Sequence, residues 1–153
     1  MEHYLTGSST PFPFHKFSSV ETLALVVLKR FSLRNLSSAA QLGTAAVIGP
    51  LEAAYENEFY RVLQQILGFS SKVVSEWSGD NDNHMDFRIE EPGWGIEILR
   101  EGDRLGEHCQ RFVAAGRYTP WITKGLVKDW IVIDCRTSGP RQYSKSTTRL
   151  ALS

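Results

Sequence analysis

The chain has 153 residues, of which 42% are hydrophobic and 22% are charged, which is typical of one globular domain with a sizeable core. Lysine and arginine together number 17, as do aspartate and glutamate, so the formal net charge is zero. That balance argues against a general polyanion binder, because a sequence-independent grip on nucleic acid normally needs a basic excess. Any affinity for nucleic acid must therefore be local.

Cysteine spacing and hydropathy argue against a zinc site, a membrane-spanning segment and a signal peptide. Cys109 and Cys135 are interpreted as buried free thiols, because His108 is the only Cys or His near either of them and zinc ligands need other spacings. The longest apolar run, residues 23–28, is far too short to span a bilayer. The N-terminal residues lack the basic start and apolar core of a signal peptide, so we expect a soluble chain without a visible export signal.

The first third of the chain predicts one helix between two irregular segments. Residues 1–17 contain glycine, serine and two prolines, and we interpret them as a poorly ordered lead-in. Ser19 is a candidate N-cap for a helix over residues 20–31. Residues 32–50 are rich in small side chains and predict a linker or a loose covering segment.

The strongest helix pattern begins at Pro50 and ends at Gly68. Its apolar stripe consists of Tyr55, Phe59, Val62, Leu63, Ile66 and Leu67. On a helical projection Glu52 falls within the stripe, whereas Glu56 and Glu58 lie at its two opposite edges. Acids in the first turns complement the helix dipole, and the functional alternative is that one of them faces a metal ion.

Alternating polar and apolar residues then predict three consecutive strands. They span residues 71–78, 84–90 and 94–99. Helical spacing follows from Asp103, the candidate N-cap, to about Ala115, and residues 117–125 are interpreted as an irregular loop. Residues 129–136 form a nearly continuous apolar run that predicts a buried strand. The polar and basic residues that follow predict a tail.

This order of elements predicts an α/β fold: helix, strand, strand, strand, helix and strand, with a mixed central sheet flanked by helices. We divide the chain into a lead-in with one helix and a linker (residues 1–49), a principal domain (residues 50–141) and a basic tail (residues 142–153).

Strand parity brings two carboxylates to one face of the predicted hairpin. Side chains alternate along a strand, and Ile96 and Ile98 are expected in the core. Glu97 is then left on the face that Asp86 can reach. Two nearby carboxylates repel, and a divalent cation such as Mg²⁺ would make the arrangement favourable. The alternative is a solvated acidic hairpin, since ten of the 17 acids lie within residues 76–107.

A basic stripe accompanies the apolar face of the helix predicted after the hairpin. Arg104, His108 and Arg111 recur at i, i+4 and i+7, which favours contact with phosphate groups in a cleft. The alternative is a solvated face on which these side chains pair with Glu101 and Glu107.

The sequence contains two weaker patterns. Tyr118 and Trp121 could stack on bases, although covering the core is the better interpretation. Residues 80–91 partly fit an EF-hand calcium loop, but Met85 stands where that loop needs glycine, and the flanks are strand-like.

The order of elements, with Asp86 on the second strand and Glu97 on the third, resembles the PD-(D/E)xK nuclease superfamily, whose core is restriction-endonuclease-like. Several segments are similar to the nuclease-like C-terminal domain of Crinkler effector-type proteins of fungi and oomycetes. These segments are EAAYENEFYR, MDFRI, WGIEILREGDRLGEHCQRF, GRYTPWI and DWIVIDCRTSGPR. The similarity covers residues 31–141, and WGIEILREGDRLGEH is its most specific block.

The resemblance implies metal-dependent hydrolysis of DNA phosphodiesters, with Asp86 and Glu97 as ligands of Mg²⁺ or Mn²⁺. An acid of the first helix often joins them in this superfamily, and Glu58 is the first candidate, with Glu52 second. The implied partner is DNA, without a membrane or a nucleotide cofactor. By the same resemblance the chain is expected to be a secreted effector that acts in the nucleus of a host cell. Without the resemblance, the lack of a visible signal peptide predicts an intracellular protein.

One position departs from the superfamily pattern. A lysine usually stands two residues after the third-strand acid, and here that position is Leu99. Arg100 is the expected electrostatic substitute, although strand parity puts it on the wrong face unless the strand ends or bulges at Leu99. The alternative function is therefore a catalytically weak or inactive domain of this fold that binds nucleic acid or a host protein.

Overall fold

A computed structural model of the chain describes residues 11–38, 52–68, 71–79, 82–102, 104–136 and 151–152. The helices are α1 (Val20–Lys29), α2 (Leu33–Ser38), α3 (Glu52–Leu67), α4 (Leu105–Gln110) and α5 (Thr119–Thr123). The strands are β1 (Val73–Trp77), β2 (Met85–Ile89), β3 (Trp94–Arg100), β4 (Asp129–Cys135) and β5 (Ala151–Leu152).

All five strands belong to one mixed sheet in the order β1-β2-β3-β4-β5. The strand β2 runs antiparallel to both β1 and β3, whereas β4 runs parallel to β3 and the two-residue β5 runs parallel to β4. A parallel neighbour needs a crossover connection, and the segment that carries α4 and α5 supplies it. The predicted α/β class with a mixed sheet flanked by helices is confirmed.

One hydrophobic core lies between the sheet and the helices α1 and α3. The face predicted from strand parity is confirmed, because Ile96 and Ile98 are fully buried in this core together with Phe87. The Phe87 ring stacks on Phe59 of α3 with a centroid distance of 5.7 Å. These contacts fix α3 across β2 and β3, where the candidate site lies.

The helix α1 packs in the same core as the sheet. Its predicted N-cap is confirmed, since the Ser19 hydroxyl accepts a hydrogen bond from the backbone N–H of Thr22 at 3.2 Å. Leu23 and Val27 are fully buried in the core that α3 and the sheet share. Residues 11–38, the described part of the segment 1–49, thus contribute directly to the packing of the principal domain.

Two expectations for the first 50 residues are wrong where the structure describes the chain. Residues 11–17 are ordered against the core, because Phe12 and Phe17 are buried and the Phe12 ring lies 5.0 Å from that of Trp94. Within the predicted linker, Leu33–Ser38 form α2, which packs on α3. The proline and serine content of the first segment suggested disorder, whereas its buried phenylalanine residues pack on the core. Pro50 lies outside the described residues.

A second core lies on the opposite face of the sheet, beneath α4 and α5. Tyr118 and Trp121 are buried there with Leu99 and Val132, which confirms that the two aromatic residues cover the core. The loop predicted around them contains α5. Since both faces of β3 are covered, the face that carries Glu97 is buried rather than solvated.

The helix predicted from Asp103 to Ala115 is much shorter, because α4 ends at Gln110. Asp103 itself lies outside the described residues. Ala115 has a φ of 65°, and the backbone N–H of Tyr118 donates to the Arg111 carbonyl oxygen at 2.8 Å. This compact reversal turns the chain back toward the sheet, so that Tyr118 reaches β3.

Three smaller points complete the fold. Cys109 and Cys135 are both free thiols, Cys135 buried and Cys109 half-buried. Residues 151–152 pair with β4, so the end of the predicted tail joins the sheet, and residues 142–150 lie outside the described part. Over the described ranges, no helix combines the length and the apolar character needed to cross a membrane.

Replacing Gly116 by alanine is expected to destabilise the domain by about 2 kcal/mol or more, since a Cβ there would lie 2.2 Å from the Gln110 carbonyl oxygen. Gly106→Ala in α4 is the matched control. A Cβ at Gly106 has nothing within 4 Å, so higher helix propensity should stabilise the domain by about 0.5–1 kcal/mol. Urea unfolding of both variants measures the difference, and equal stabilities would contradict the described turn.

Candidate functional site

The Asp86 carboxylate lies where β2 separates from β3. The described register between the strands pairs Phe87 with Ile96 and proceeds toward the hairpin turn, away from Asp86. Oδ2 of Asp86 accepts a hydrogen bond from the backbone N–H of Ile98 at 2.7 Å, in place of a further backbone pair. The bond holds this carboxylate next to Glu97, the residue that precedes Ile98 on β3. The pair expected from strand parity is therefore brought together.

The Glu97 carboxylate is 1% exposed and is held by three donors from the crossover segment. Its Oε2 accepts from His108 Nδ1 at 2.8 Å and from Arg111 Nη1 at 3.1 Å. Its Oε1 accepts from the Tyr118 hydroxyl at 2.5 Å. Because a carboxylate offers about four lone-pair positions, one position remains, on Oε1. The cationic guanidinium of Arg111 offsets the cost of burying this charge.

Tyr118 links three parts of the site through one hydroxyl group. Its oxygen also lies 2.5 Å from the carbonyl oxygen of His84, which precedes β2. Burial and the negative charge of Glu97 raise the pKa of Tyr118 far above its usual value, so the hydroxyl keeps its proton and donates. The segment before β2, the strand β3 and the start of α5 are thus held together at the carboxylate pair.

Asp86 differs from Glu97 in that no cation pairs with it among the described residues. Burial raises the pKa of Asp86 to about 8, and the negative charge of Glu97 adds to the rise, against the hydrogen bond from Ile98. At neutral pH the Asp86 carboxyl group therefore holds a proton.

Two glutamates of α3 contribute to the electrostatics around Asp86 and Glu97. Glu56 lines a cavity of about 560 Å³ together with Asp86, between α3, β1 and the start of β2. Burial raises the pKa of Glu56, with further contributions from Glu52, Glu76 and Glu97. The charge of Glu52 also acts on Asp86. The acidic site therefore includes the α3 edge that carries Glu52 and Glu56.

The structure places Glu58, the first helix candidate, away from this site. Its carboxylate accepts hydrogen bonds from the Ser32 backbone N–H at 2.7 Å, from Asn35 Nδ2 at 3.0 Å and from the Arg61 guanidinium. The bonds from Arg61 come first among the causes that lower the pKa of Glu58 to about 2. Glu58 thus ties α2 to α3, on the opposite edge of the helix from Glu56.

Arg100 could replace the superfamily lysine only if β3 ended or bulged at Leu99, and the structure shows neither. The pairing of β3 with β4 is regular through Arg100 and Cys135, so the strand neither ends nor bulges at Leu99. Leu99 is fully buried in the second core, on the Glu97 face. The charge of Arg100 acts on the Tyr55 hydroxyl of α3, on the other face of the sheet. The position of the superfamily lysine therefore carries an apolar side chain.

The basic stripe also has a different role from the one expected. The side chains of His108 and Arg111 point inward and bind the buried Glu97 carboxylate. They are therefore not directed to solvent, where a phosphate group would bind. Arg111 is also 3.6 Å from Glu107. Arg104 is exposed and occupies the left-handed region at the start of α4, with a φ of 49°. The three side chains do not form one phosphate-binding face.

The described residues contain no group of three or more His, Cys, Asp or Glu side chains that could hold a metal ion as they stand. No family model matches this chain, and no curated protein or solved structure is significantly similar to it. The donor chemistry nevertheless suits a hard divalent cation, which takes carboxylate oxygens. The groups that fit are Oδ1 of Asp86, the remaining lone pair of Glu97 Oε1, and Glu56 across the cavity.

Sequence reasoning missed Tyr118 and Glu56 as parts of the site. The sequence indicates that Tyr118 covers the core, with stacking on bases as the alternative. Its contact with Glu97 spans 21 residues, so no local spacing reveals it. Glu56 was placed at an edge of the stripe on α3. The helical projection places Glu56 and Glu58 at opposite edges of the apolar stripe, and either edge could face the site. The choice depends on the position of α2 and the residue before it, which bind Glu58.

Tyr118→Phe should lower the free energy of unfolding by about 1–3 kcal/mol, because it leaves a buried Glu97 oxygen without its donor while the ring still packs. Tyr60→Phe is the control, since Tyr60 is 39% exposed and a change there should stay within about 0.5 kcal/mol. Chemical denaturation measures both. A Tyr118→Phe variant as stable as the parent would show that the hydroxyl does not hold Glu97.

Stability should fall as the pH rises from about 4 to about 8, because the folded Asp86 keeps its proton up to about pH 8. The unfolded carboxyl group releases its proton near pH 4, so each unit between these values costs at most about 1.4 kcal/mol. Asp86→Asn, which stays neutral, should flatten this slope. Melting temperatures of both proteins from pH 4 to 9 provide the measurement, and parallel curves would contradict the raised pKa.

Proposed function

We propose that this chain is a metal-dependent phosphodiester hydrolase that acts on DNA and has a restriction-endonuclease-like core. The observation that carries the proposal is the carboxylate pair at the opening between β2 and β3. Asp86 is bonded to the N–H of Ile98, and Glu97 lies beside it with one lone-pair position left. Two acids held together in a buried opening are unfavourable unless a proton or a cation lies between them.

The order of the elements gives the proposal a second support. A helix, three antiparallel strands, a crossover with helices and a parallel fourth strand follow each other from α3 to β4. The same order underlies the resemblance to PD-(D/E)xK nucleases. Asp86 and Glu97 lie on the second and third of these strands, as the resemblance implies.

The side chains have distinct roles in this proposal. Asp86, Glu97 and Glu56 would hold Mg²⁺ or Mn²⁺, so Glu56 replaces Glu58 as the helix acid. When bound, the cation would neutralise negative charge on the phosphodiester and polarise it for attack by water. Arg111 and Tyr118 keep the Glu97 carboxylate in one orientation.

A second function of the same fold is favoured by a specific observation. Leu99 is buried at the lysine position and Arg100 lies on the other face, so no described cation is available there to position a water molecule. A catalytically weak or inactive domain that binds nucleic acid or a host protein would keep the Asp86–Glu97 pair without fast hydrolysis. Secretion and action in a host nucleus belong to the same proposals and rest on the resemblance alone.

Purified chain should nick or degrade plasmid DNA in the presence of Mg²⁺ or Mn²⁺ and not in EDTA. Asp86→Asn and Glu97→Gln should each reduce the rate by at least about 100-fold, because each removes a carboxylate from the proposed site. Glu91→Gln, an exposed acid of the hairpin turn, is the matched control and should retain the parent rate.

Two outcomes of this assay separate the candidate functions. Cleavage that persists unchanged in both site variants would refute the proposed hydrolytic site. Binding of DNA without cleavage above the level of the two variants would favour the catalytically inactive domain.

A further inference from the structure

The cavity beside Asp86 has an aromatic side chain at its margin. Tyr60 of α3 lines the cavity and is 39% exposed, although most large aromatic residues of the described chain are buried. Its ring is nearly parallel to that of Phe87, with an interplanar angle of 17° and a centroid distance of 6.0 Å. Phe87 in turn stacks on Phe59, so the Tyr60 ring is supported from beneath by the core.

A partly exposed aromatic ring that lines a cavity and stacks on a core residue can serve as a platform for a flat ligand. Stacking of a nucleobase on such a ring is worth about 1–3 kcal/mol and does not depend strongly on which base stacks. The cavity volume of about 560 Å³ suits one nucleoside, since sites for small ligands measure about 300–1,000 Å³. Bases within a duplex already stack on their neighbours, so Tyr60 can accept only an unpaired base.

The polar lining of the cavity selects among ligands. Asn57 lies on α3 and Glu76 on β1, and both line the cavity that Tyr60 borders. An asparagine amide matches the edge of adenine, and a glutamate carboxylate accepts from the amino group of cytosine. No lysine or arginine lines this cavity among the described residues, so it offers nothing to a phosphate group directly. The part of the cavity that Tyr60, Asn57 and Glu76 line therefore suits a base, whereas Asp86 and Glu56, which line the same cavity, are the carboxylates proposed for the cation.

We propose that this cavity binds one unpaired nucleobase of a single-stranded nucleic acid, stacked on Tyr60 with its amino group toward Asn57 and Glu76. The backbone of the bound strand then passes the opening where Asp86 and Glu97 lie. That single strands are the substrate for cleavage rests on the proposed hydrolytic function. Binding of a base in the cavity does not depend on that function.

Fluorescence anisotropy in EDTA tests the cavity without any cleavage. The probes are labelled oligo(dC), oligo(dA) and oligo(dT) of equal length and a duplex of the same length. Oligo(dC) and oligo(dA) should bind more tightly than oligo(dT), which lacks an exocyclic amino group, and more tightly than the duplex. Affinity should depend only weakly on salt, because base contacts release few counterions.

Variants of Tyr60 separate stacking from other effects. Tyr60→Leu should weaken the binding of oligo(dC) by about 5- to 100-fold, while Tyr60→Phe, which keeps the ring, should bind like the parent. Phe14→Leu is the matched control, since Phe14 is 50% exposed and lies outside this cavity. A Tyr60→Leu variant that melts like the parent excludes a folding defect.

The outcomes also separate this inference from the proposed hydrolysis. Tyr60-dependent binding of single strands without any cleavage would support the cavity and defeat the hydrolytic proposal. Metal-dependent cleavage that prefers duplex DNA and does not change in Tyr60→Leu would overturn the cavity and leave the hydrolysis standing. Equal binding of single strands by the parent and Tyr60→Leu overturns the inference outright.

Discussion

The buried carboxylate of Glu97 is the constraint on which the site depends. A carboxyl group with 1% exposure is costly to bury unless hydrogen bonds and an opposite charge compensate it. Here the compensation comes from one segment of chain, in which His108, Arg111 and Tyr118 converge on two oxygens. The short α4 and the turn after it follow from this requirement, because a longer helix would carry Tyr118 away from the sheet.

The partner carboxylate is compensated in another way. Asp86 receives one backbone hydrogen bond, from Ile98, and otherwise relies on a proton, which the raised pKa of about 8 retains at neutral pH. A proton and a divalent cation are alternative solutions to the same electrostatic problem. Glu56 of α3 lines the same cavity and adds a further acidic group beside Asp86. The proposed cation would take the place of this proton at the opening.

Local rules predicted much of the fold and the position of two carboxylates of the candidate site. Strand parity correctly paired Asp86 with Glu97 and placed Arg100 on the opposite face, and the Ser19 cap depends on residues three positions apart. Long-range contacts decided the remainder. The role of Tyr118 depends on a bond across 21 residues, and that of Glu58 on a bond to Ser32, 26 residues earlier. No periodicity carries such information, because it arises only when separate elements pack.

The most direct test of a cation site at this opening is paramagnetic broadening of backbone amide NMR signals by substoichiometric Mn²⁺. If a cation binds at the opening, the amides of Asp86, Glu97 and Ile98, with those near Glu56, should broaden first, and Asp86→Asn should abolish the effect. Broadening that begins at the exposed acids of the hairpin turn, or that leaves the amides of β3 sharp, would contradict a cation site there.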